Sequence, residues 1–553
     1  MAFLKAVLAL FMSIISLFNI FDGPNEVPDY NAQKNFTYLE YPKEAIINPS
    51  RAGLSLSQFL SRADDDGDEL YENAQGYQDI NGIIESPYFT VHVEDKRIPV
   101  YGTTVFVGNT QKGALHSFCE IYVDTTKDVN LSFQLNTHGF VMEDVKIYPS
   151  SLKPETNYLN TVLNARIKKL GTYTFVFNNT DQEHGFTLFV REMVDEDKEI
   201  AELKTRYGEN NVIVVEKGFH SDFPCYDFYG VQNTVYYLKR GAYLLAKHQY
   251  DINSEADDLN NTSKQDTDML NANHLPIGLT RCPYLNFTNS NNIKLLGNGV
   301  IDFSHLDRRE RRGIVFAYSN NVEVDGIKIV NPAEWAFITY DCENVTIRNV
   351  DIFGYRTNSD AFAICNTRNA TIDNSFCRSG DDLFDVKALG GRPEAVSKNI
   401  TFTNCTAWNG KARCFGICGE VNMPISNVTF RDSTVVFHDA TWNKDRIPAL
   451  AIVVENQGGS ISDITYENME VHRAYSRAIG CLIYGSDVQN FNISNVVYRN
   501  IKYNTTYPTK VASNGKVNSI QATFENVYSN GYKITGVDTN NFEYDQYANI
   551  TVK

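Results

Sequence analysis

Asn344-Val345-Thr346-Ile347-Arg348-Asn349-Val350-Asp351-Ile352 is the stretch that decides the fold. Val345 and Ile347 alternate with polar residues, as the side chains of one strand face must, and after a bend the pattern resumes with Val350 and Ile352. The same phrase begins at Asn292, Asn321, Asn344, Asn369, Asn399, Asn427, Asp463 and Asn492, at intervals of 29, 23, 25, 30, 28, 36 and 29 residues. A period of this length, built from short β-branched strands with no helical pattern inside it, predicts an all-β solenoid, a parallel β-helix. Ala370, Ile372 and Cys377, then Ile400, Phe402 and Cys405, take the equivalent places, so all six should stack in the interior and the two cysteines should be buried thiols. Cys414 and Cys418 fall on one strand face without a His-rich partner set, which disfavours zinc.

Upstream of the repeat the pattern changes. Phe89-Thr-Val-His-Val93, Val129 to Leu135, Tyr173 to Phe177 and Phe186 to Val190 alternate with period two between turn residues. They predict an antiparallel β-sandwich over residues 86–200, ahead of a β-helix over 201–545. Asp195 to Arg206 runs from acidic to basic and marks a helical or linker boundary. Residues 23–85 are polar and turn-rich, and their acidic run Asp64 to Glu69 is read as solvated charge. Residues 1–22 join Lys5 to an apolar run ending at Phe21, the layout of a secretory signal peptide, with an uncleaved anchor as the alternative.

Secretion implies an oxidising compartment and glycosylation, and the chain carries ten cysteines and fourteen Asn-x-Ser/Thr sequons. Several sequons are generated by the repeat itself, so fewer than half should carry sugar. The cysteine spacing frames no small disulfide scaffold, and their pairing is left open. Of the 553 residues, 67 are acidic and 50 basic, giving a net charge of -17 with no segregated basic patch. That balance repels a phosphate backbone and disfavours a nucleic-acid partner. Beyond the N-terminus no segment is apolar enough to span a bilayer, so no stable membrane association is expected; oligomeric state is not encoded legibly.

Two phrases stand out against the repeat, Asn358-Ser359-Asp360 and Gly380-Asp381-Asp382. Asp360 and Asp381 are 21 residues apart, about one coil, so three carboxylates should converge from neighbouring coils. Like charges at that range resist simultaneous ionisation and leave a protonated acid beside ionised bases. Glycoside hydrolysis needs that pairing. Capping of solenoid turns, or a structural ion, is the bland reading of the same residues.

On these phrases the chain resembles the polygalacturonase group of pectin-lyase-like right-handed β-helices, glycoside hydrolase family 28, over about residues 205–540. Asn358-Ser359-Asp360 is similar to the family's Asn-Thr-Asp, Gly380-Asp381-Asp382 to its Gly-Asp-Asp, and Asn331 to Trp335 to the preceding coil. The resemblance implies that Asp381 is the general acid, that Asp360 and Asp382 hold the attacking water, and that configuration inverts without metal or other cofactor. In place of the family's Gly-His-Gly stands Lys411-Ala412-Arg413-Cys414-Phe415-Gly416. The Arg-Ile-Lys clamp is missing, and the nearest string, Arg446-Ile447-Pro448, is read as misplaced in its coil. The domain order, and Asp381-Asp382 followed by Lys387, also resemble the dextranases and isopullulanases of glycoside hydrolase family 49.

The expectation is therefore a secreted glycoside hydrolase acting on a polysaccharide, polygalacturonan first and an α-glucan second. A non-catalytic carbohydrate-binding β-helix and a calcium-dependent lyase are the rival classes. Asn358, Lys387, Arg413 and Trp335 are the substrate-binding candidates. Each has a structural reading too: Lys387 and Arg413 as partners for the carboxylates, Trp335 as packing between coils. Glu420 and Glu455 end strands and are read as solvent-facing. Two Asp residues working as acid and base predict an optimum of roughly pH 4 to 6. Adjacent coils lie only about 4.8 Å apart, so inversion calls for lateral offset, which the loop Gly354 to Asn358 is placed to supply.

Overall fold

The computed structural model describes residues 36–52, 55–60, 82–108, 112–124, 128–246, 283–306, 310–390, 394–456 and 458–553. The leader, the Asp64–Glu69 run and two of the fourteen sequons, at Asn260 and Asn261, lie outside these residues, as does the sequon Asn35. Among the described residues no helix is long and apolar enough to cross a membrane.

Two sheets of seven and five strands face one another to form the N-terminal sandwich. Strict alternation in Val129–Leu135 and Phe89–Val93 puts Leu131, Phe133, Phe89 and Val91 into a core completed by Phe175, Phe186 and Leu188. The sandwich is not purely antiparallel: Phe186–Glu192 runs parallel to Lys112–Val123. Phe36–Tyr38, from the polar N-terminal segment, adds an edge strand to the same sheet. The helix Glu196–Tyr207 follows, capped by the Asp195 carboxylate, which accepts from the Lys198 amide, with acidic residues in its first turn and basic ones in its last. That charge order complements the helix dipole. Ile200 on this helix packs against Val212, Val235, Tyr237 and Leu296.

Three long sheets of twelve, twelve and eleven strands, parallel except for the final hairpin Tyr528–Ser529 with Tyr532–Lys533, then wind around one interior, from Val212–Val215 to Ala548–Val552. The repeat is visible as register: Val322, Val345, Ala370, Ile400, Val428 and Ile464 stand in one row. Beside it Phe402, Phe430, Tyr466, Tyr498 and Phe524 stack ring on ring, with centroids 4.8 to 5.0 Å apart. The repeated asparagine has a turn role. Asn344, Asn369, Asn399 and Asn427 all take positive φ, and each donates its amide to the corresponding asparagine one coil earlier at 2.8 to 3.2 Å. Asparagine tolerates this left-handed bend better than other non-glycine residues.

All nine described cysteines are free. Cys377 and Cys405 are buried in the interior, but on different rows: Cys377 pairs with Ile352 and Ala407, while Cys405 sits one bend earlier beside Ser433. Cys414 and Cys418 do not share a face. Cys414 lies in the internal core before the strand Phe415–Val421 begins, and Cys418 points outward among Ala451, Val453 and Leu482.

The sandwich lies against the outer face of the second sheet. Phe118 and Phe189 pack on Phe353 and Phe376, with Phe118 stacked on Phe353 at 5.1 Å. Inside this dry contact Lys328 reaches Glu120 at 2.8 Å and Asp351 at 2.6 Å, and Arg191 reaches Asp351 at 3.0 Å. Two cations matched to two anions, all buried, hold the two parts in one orientation.

Candidate active site

Five successive turns joining the second sheet to the third carry the site. They follow Lys328–Val330, Asp351–Phe353, Phe376–Arg378, Thr406–Asn409 and Thr434–His438, and they bring in turn Trp335, Asn358 with Asp360, Asp381 with Asp382, Arg413, and Arg446. Backbone bonds tie them coil to coil: Ala336 N–H donates to Asp360 O, Ala361 N–H to Asp382 O, and Leu383 N–H to Arg413 O. Gly380 is required where it stands, because a Cβ there would lie 2.2 Å from the Arg356 carbonyl oxygen. Its N–H donates to Ser359 Oγ at 3.0 Å, and Ser379 Oγ donates to Ser359 O at 2.6 Å, stitching the two acidic turns together.

The three carboxylates converge as expected: oxygens of Asp360, Asp381 and Asp382 lie within 4.8 Å of one another. They differ in their surroundings. Asp360 and Asp382 are 4% and 3% exposed, whereas Asp381 is partly open and lines a cavity of about 440 Å³. Asp381 accepts from the Asn358 and Asp382 amides at 3.0 and 2.9 Å. Asp382 accepts from the Arg413 amide and guanidinium, both at 2.9 Å.

Burial raises all three, and the neighbours separate them. Asp360 is pushed well above the usual carboxylate range by burial and then by Asp381, against the pull of Lys387. Asp381 is raised by burial and by Asp382 next to it, against the pull of Lys387 and of the Asn358 and Asp382 amides. Burial would raise Asp382 too, but Arg413 and Lys387 outweigh it and hold the group below the usual range. The arrangement thus offers one carboxyl on the cavity that keeps its proton beside one that is held as an anion.

Each remaining candidate has a definite place. Lys387 is buried behind the trio, its Nζ 2.9 Å from Asp385, 3.0 Å from Glu420 and 3.6 Å from Asp360. Asp385, fully buried, is pushed up to about 7 by burial, with Lys387 opposing. Lys387 is thereby a charge partner and does not line the cavity. Trp335 is partly buried, with the Arg312 guanidinium 4.5 Å and the Lys387 ammonium 5.0 Å from its ring centroid. Asn358, at φ 65°, serves the site through its backbone N–H. Arg413 lies on the cavity wall and also pairs with Glu455 at 3.0 Å.

Two sequence expectations are corrected here. Glu455 is part of the site's charge network: it bridges Arg413 and Arg446, and burial, which would raise it, is outweighed by those two guanidinium groups, whereas Glu420 stays 43% exposed while pairing with Lys387. Arg446 is not misplaced; it reaches the same cavity as Asp381, together with Lys411 and Trp442. The signal for Arg446 and Trp442 was present in the repeat: the 36-residue interval from Asn427 to Asp463 is the longest, and the surplus is the loop that carries them. Thr357, Lys411 and Gly108 complete the wall, Gly108 coming from the sandwich. Either Asp360, Asp381 and Asp382 or Asp382, Asp385 and Cys418 have the atom types and closeness to ligate a cation. Lys387 and Arg413 already set positive charge against both groups.

Residues 299–548 match the model of Glycosyl hydrolases family 28. Polygalacturonase QRT2 of Arabidopsis thaliana is 27% identical over 255 residues, 41% of this chain and 54% of that protein. Polygalacturonase of Cryptomeria japonica is 25% identical over 257 residues, 40% of this chain and 45% of that protein. The chain spans about half the length of these relatives. Among solved structures, Dex49A from Penicillium minioluteum aligns over 86% of this chain and 95% of its own, with a TM-score of 0.53 at 10% identity, a likeness of fold. The part of this chain that carries the three aspartates is accordingly a parallel β-helix similar to glycoside hydrolase family 28, whose model it matches over residues 299–548.

Proposed function

We propose that this chain is a glycoside hydrolase that cleaves O-glycosidic bonds in a polysaccharide by a polygalacturonase-like reaction. Asp381 is the general acid, and Asp360 and Asp382 hold the attacking water, Asp382 as the ionised base and Asp360, raised by burial, as a hydrogen-bonding partner. The observation that carries the reading is the asymmetry of the trio: Asp381 opens on the cavity while Arg413 pins Asp382 as an anion. An acid must reach the glycosidic oxygen, and a water-holding base must stay ionised while the acid keeps its proton.

Burial supports inversion. A nucleophile has to touch the anomeric carbon, and Asp360 and Asp382 are almost wholly enclosed, which disfavours direct attack by either on a sugar ring. Spacing points the other way: oxygens within 4.8 Å of one another show no lateral offset from the loop Gly354 to Asn358, and they match the separation of about 5 Å in retaining enzymes better than the roughly 6.5 to 9.5 Å of inverting ones, so the anomer of the first product is the deciding measurement. Polygalacturonate is the first substrate: the matched relatives are named polygalacturonases, and Lys411, Arg413 and Arg446 line the cavity, the two arginines also bonded to Glu455. Secretion and glycosylation belong to the same reading, supported by the apolar N-terminal run and the sequons.

The test is release of reducing ends from polygalacturonate, rhamnogalacturonan, dextran and pullulan. Asp381→Asn should lower kcat by about 10²- to 10⁴-fold with an unchanged melting curve. Proton NMR of the first product should show the inverted anomer. Retained configuration overturns the water-holding roles of Asp360 and Asp382, and an inert wild type across the panel overturns the hydrolase.

A further inference from the structure

We propose that Trp442 is the platform on which a sugar ring of the substrate stacks, beside the bond that Asp381 protonates; this rests on the hydrolase reading above. The chain has three tryptophans, and they occupy very different settings. Trp408 is fully buried, with the Arg378 guanidinium 3.8 Å from its ring centroid. Trp335, between Arg312 and Lys387, presents its ring to two cations. Trp442 is 57% exposed and lines the cavity that Asp381 lines.

The indole is held in place although it is open. Its Nε1–H donates to the Lys411 carbonyl oxygen at 2.8 Å, which satisfies its one polar atom and fixes the ring's direction. The backbone beneath it is a 3₁₀ turn, Thr441–Asn443, closed by Asn443 N–H donating to Ala440 O and followed by Arg446 N–H donating to Asn443 O. Thr441 Oγ1 donates to Asp439 at 3.3 Å. More than half of the residue's surface is left in water, and that apolar area is available for a ligand to cover.

The ligand chemistry follows from what surrounds the ring. A pyranose has an apolar face of C–H groups and a polar rim. Over Trp442 its face would meet the indole while its rim meets Arg446, Arg413 and Lys411, and the cavity of about 440 Å³ falls within the range of ordinary small-molecule sites. Because the turn is rigid before the ligand arrives, stacking costs little ordering, so its loss should appear mainly in KM.

The experiment uses the full chain with polygalacturonate for kinetics and trigalacturonate for binding. Trp442→Ala should raise KM about tenfold with a smaller change in kcat, Trp442→Phe should recover most of the loss, and both should melt with the wild type. In the Asp381→Asn background, where the ligand is not consumed, trigalacturonate should shield tryptophan fluorescence from iodide, and Trp442→Phe should remove that shielding. A Trp442→Ala enzyme with wild-type KM overturns the platform and leaves the hydrolase standing. A wild type inert on every glycan, yet shielded by trigalacturonate through Trp442, overturns the hydrolase and keeps the stacking site. If neither turnover nor Trp442-dependent shielding is seen, both fall.

Discussion

Replacing Arg413 by Gln removes the positive charge that faces Asp382. The guanidinium lies 2.9 Å from one Asp382 oxygen, while the other oxygen keeps its bond from the residue 413 amide, so the variant loses one charge-assisted bond and spares the backbone one. Such a bond contributes about 1.5 to 3 kcal/mol, which at 1.36 kcal/mol per pH unit corresponds to a rise of about 1 to 2 pH units in the ionisation of Asp382. In the wild type Asp382 titrates below the usual range. Its ion pair therefore adds stability at pH values above the unfolded value, roughly 3.9, and that stability is lost as pH falls through the folded value. Without Arg413, burial is left to dominate and the sign reverses. The variant should be destabilised most near pH 7, on the order of 3 to 5 kcal/mol for a buried pair broken on one side, and progressively less toward pH 4. The activity profile should move with it: if Asp382 must be ionised to hold the water, the acidic limb of kcat rises by the same 1 to 2 pH units, about the size of the lost bond. Melting curves at pH 4, 5.5 and 7 beside kcat against pH give both quantities. An unmoved acidic limb, or a Tm loss equal at pH 4 and pH 7, refutes the assignment of Asp382 as the pinned anion.

Lys387→Met leaves Asp360, Asp385 and Glu420 facing one another without their shared cation, and should cost about 3 to 5 kcal/mol near pH 7, measured by denaturant unfolding. That cost should shrink as pH falls, because Asp385, already pushed up to about 7, becomes neutral; a pH-independent loss would contradict the network. Lys328→Met leaves Glu120 without its closest cation and Asp351 with Arg191 alone at the contact between sandwich and β-helix, and limited proteolysis should then separate the two parts sooner than in the wild type. Mass spectrometry of glycopeptides from chain made in a eukaryotic secretory host should find Asn344, Asn369, Asn399 and Asn427 unoccupied, because their amides are already spent on the coil-to-coil ladder. Full occupancy of these four would mean the ladder does not form as described.

The β-helix was legible because each coil restates it: Val345, Ala370, Ile400 and Val428 each appear on the inward side of a short strand, and the asparagine beside each marks the same left-handed bend. Alternation within a strand is a local property, so the sequence alone determined the sheets, the stacked interior and the convergence of Asp360, Asp381 and Asp382 from neighbouring coils. What it left undecided depends on groups brought together across coils. Glu455 was read as solvent-facing and Arg446 as misplaced in its coil, and only the winding of the solenoid sets Glu455 against Arg413, 42 residues earlier in the chain, with Arg446 on the same carboxylate. Cys414 and Cys418 have the even spacing of one strand face, but the strand starts between them, so their sides are opposite. The sandwich's place against the second sheet, and hence Gly108 in the cavity wall, follows from matched charges that are far apart in sequence: Glu120 and Arg191 against Lys328 and Asp351. Tertiary structure also decided which of three chemically identical carboxylates can act as an acid, because that depends on the charge beside each one and on its access to water, and neither is written in the Asp residues themselves.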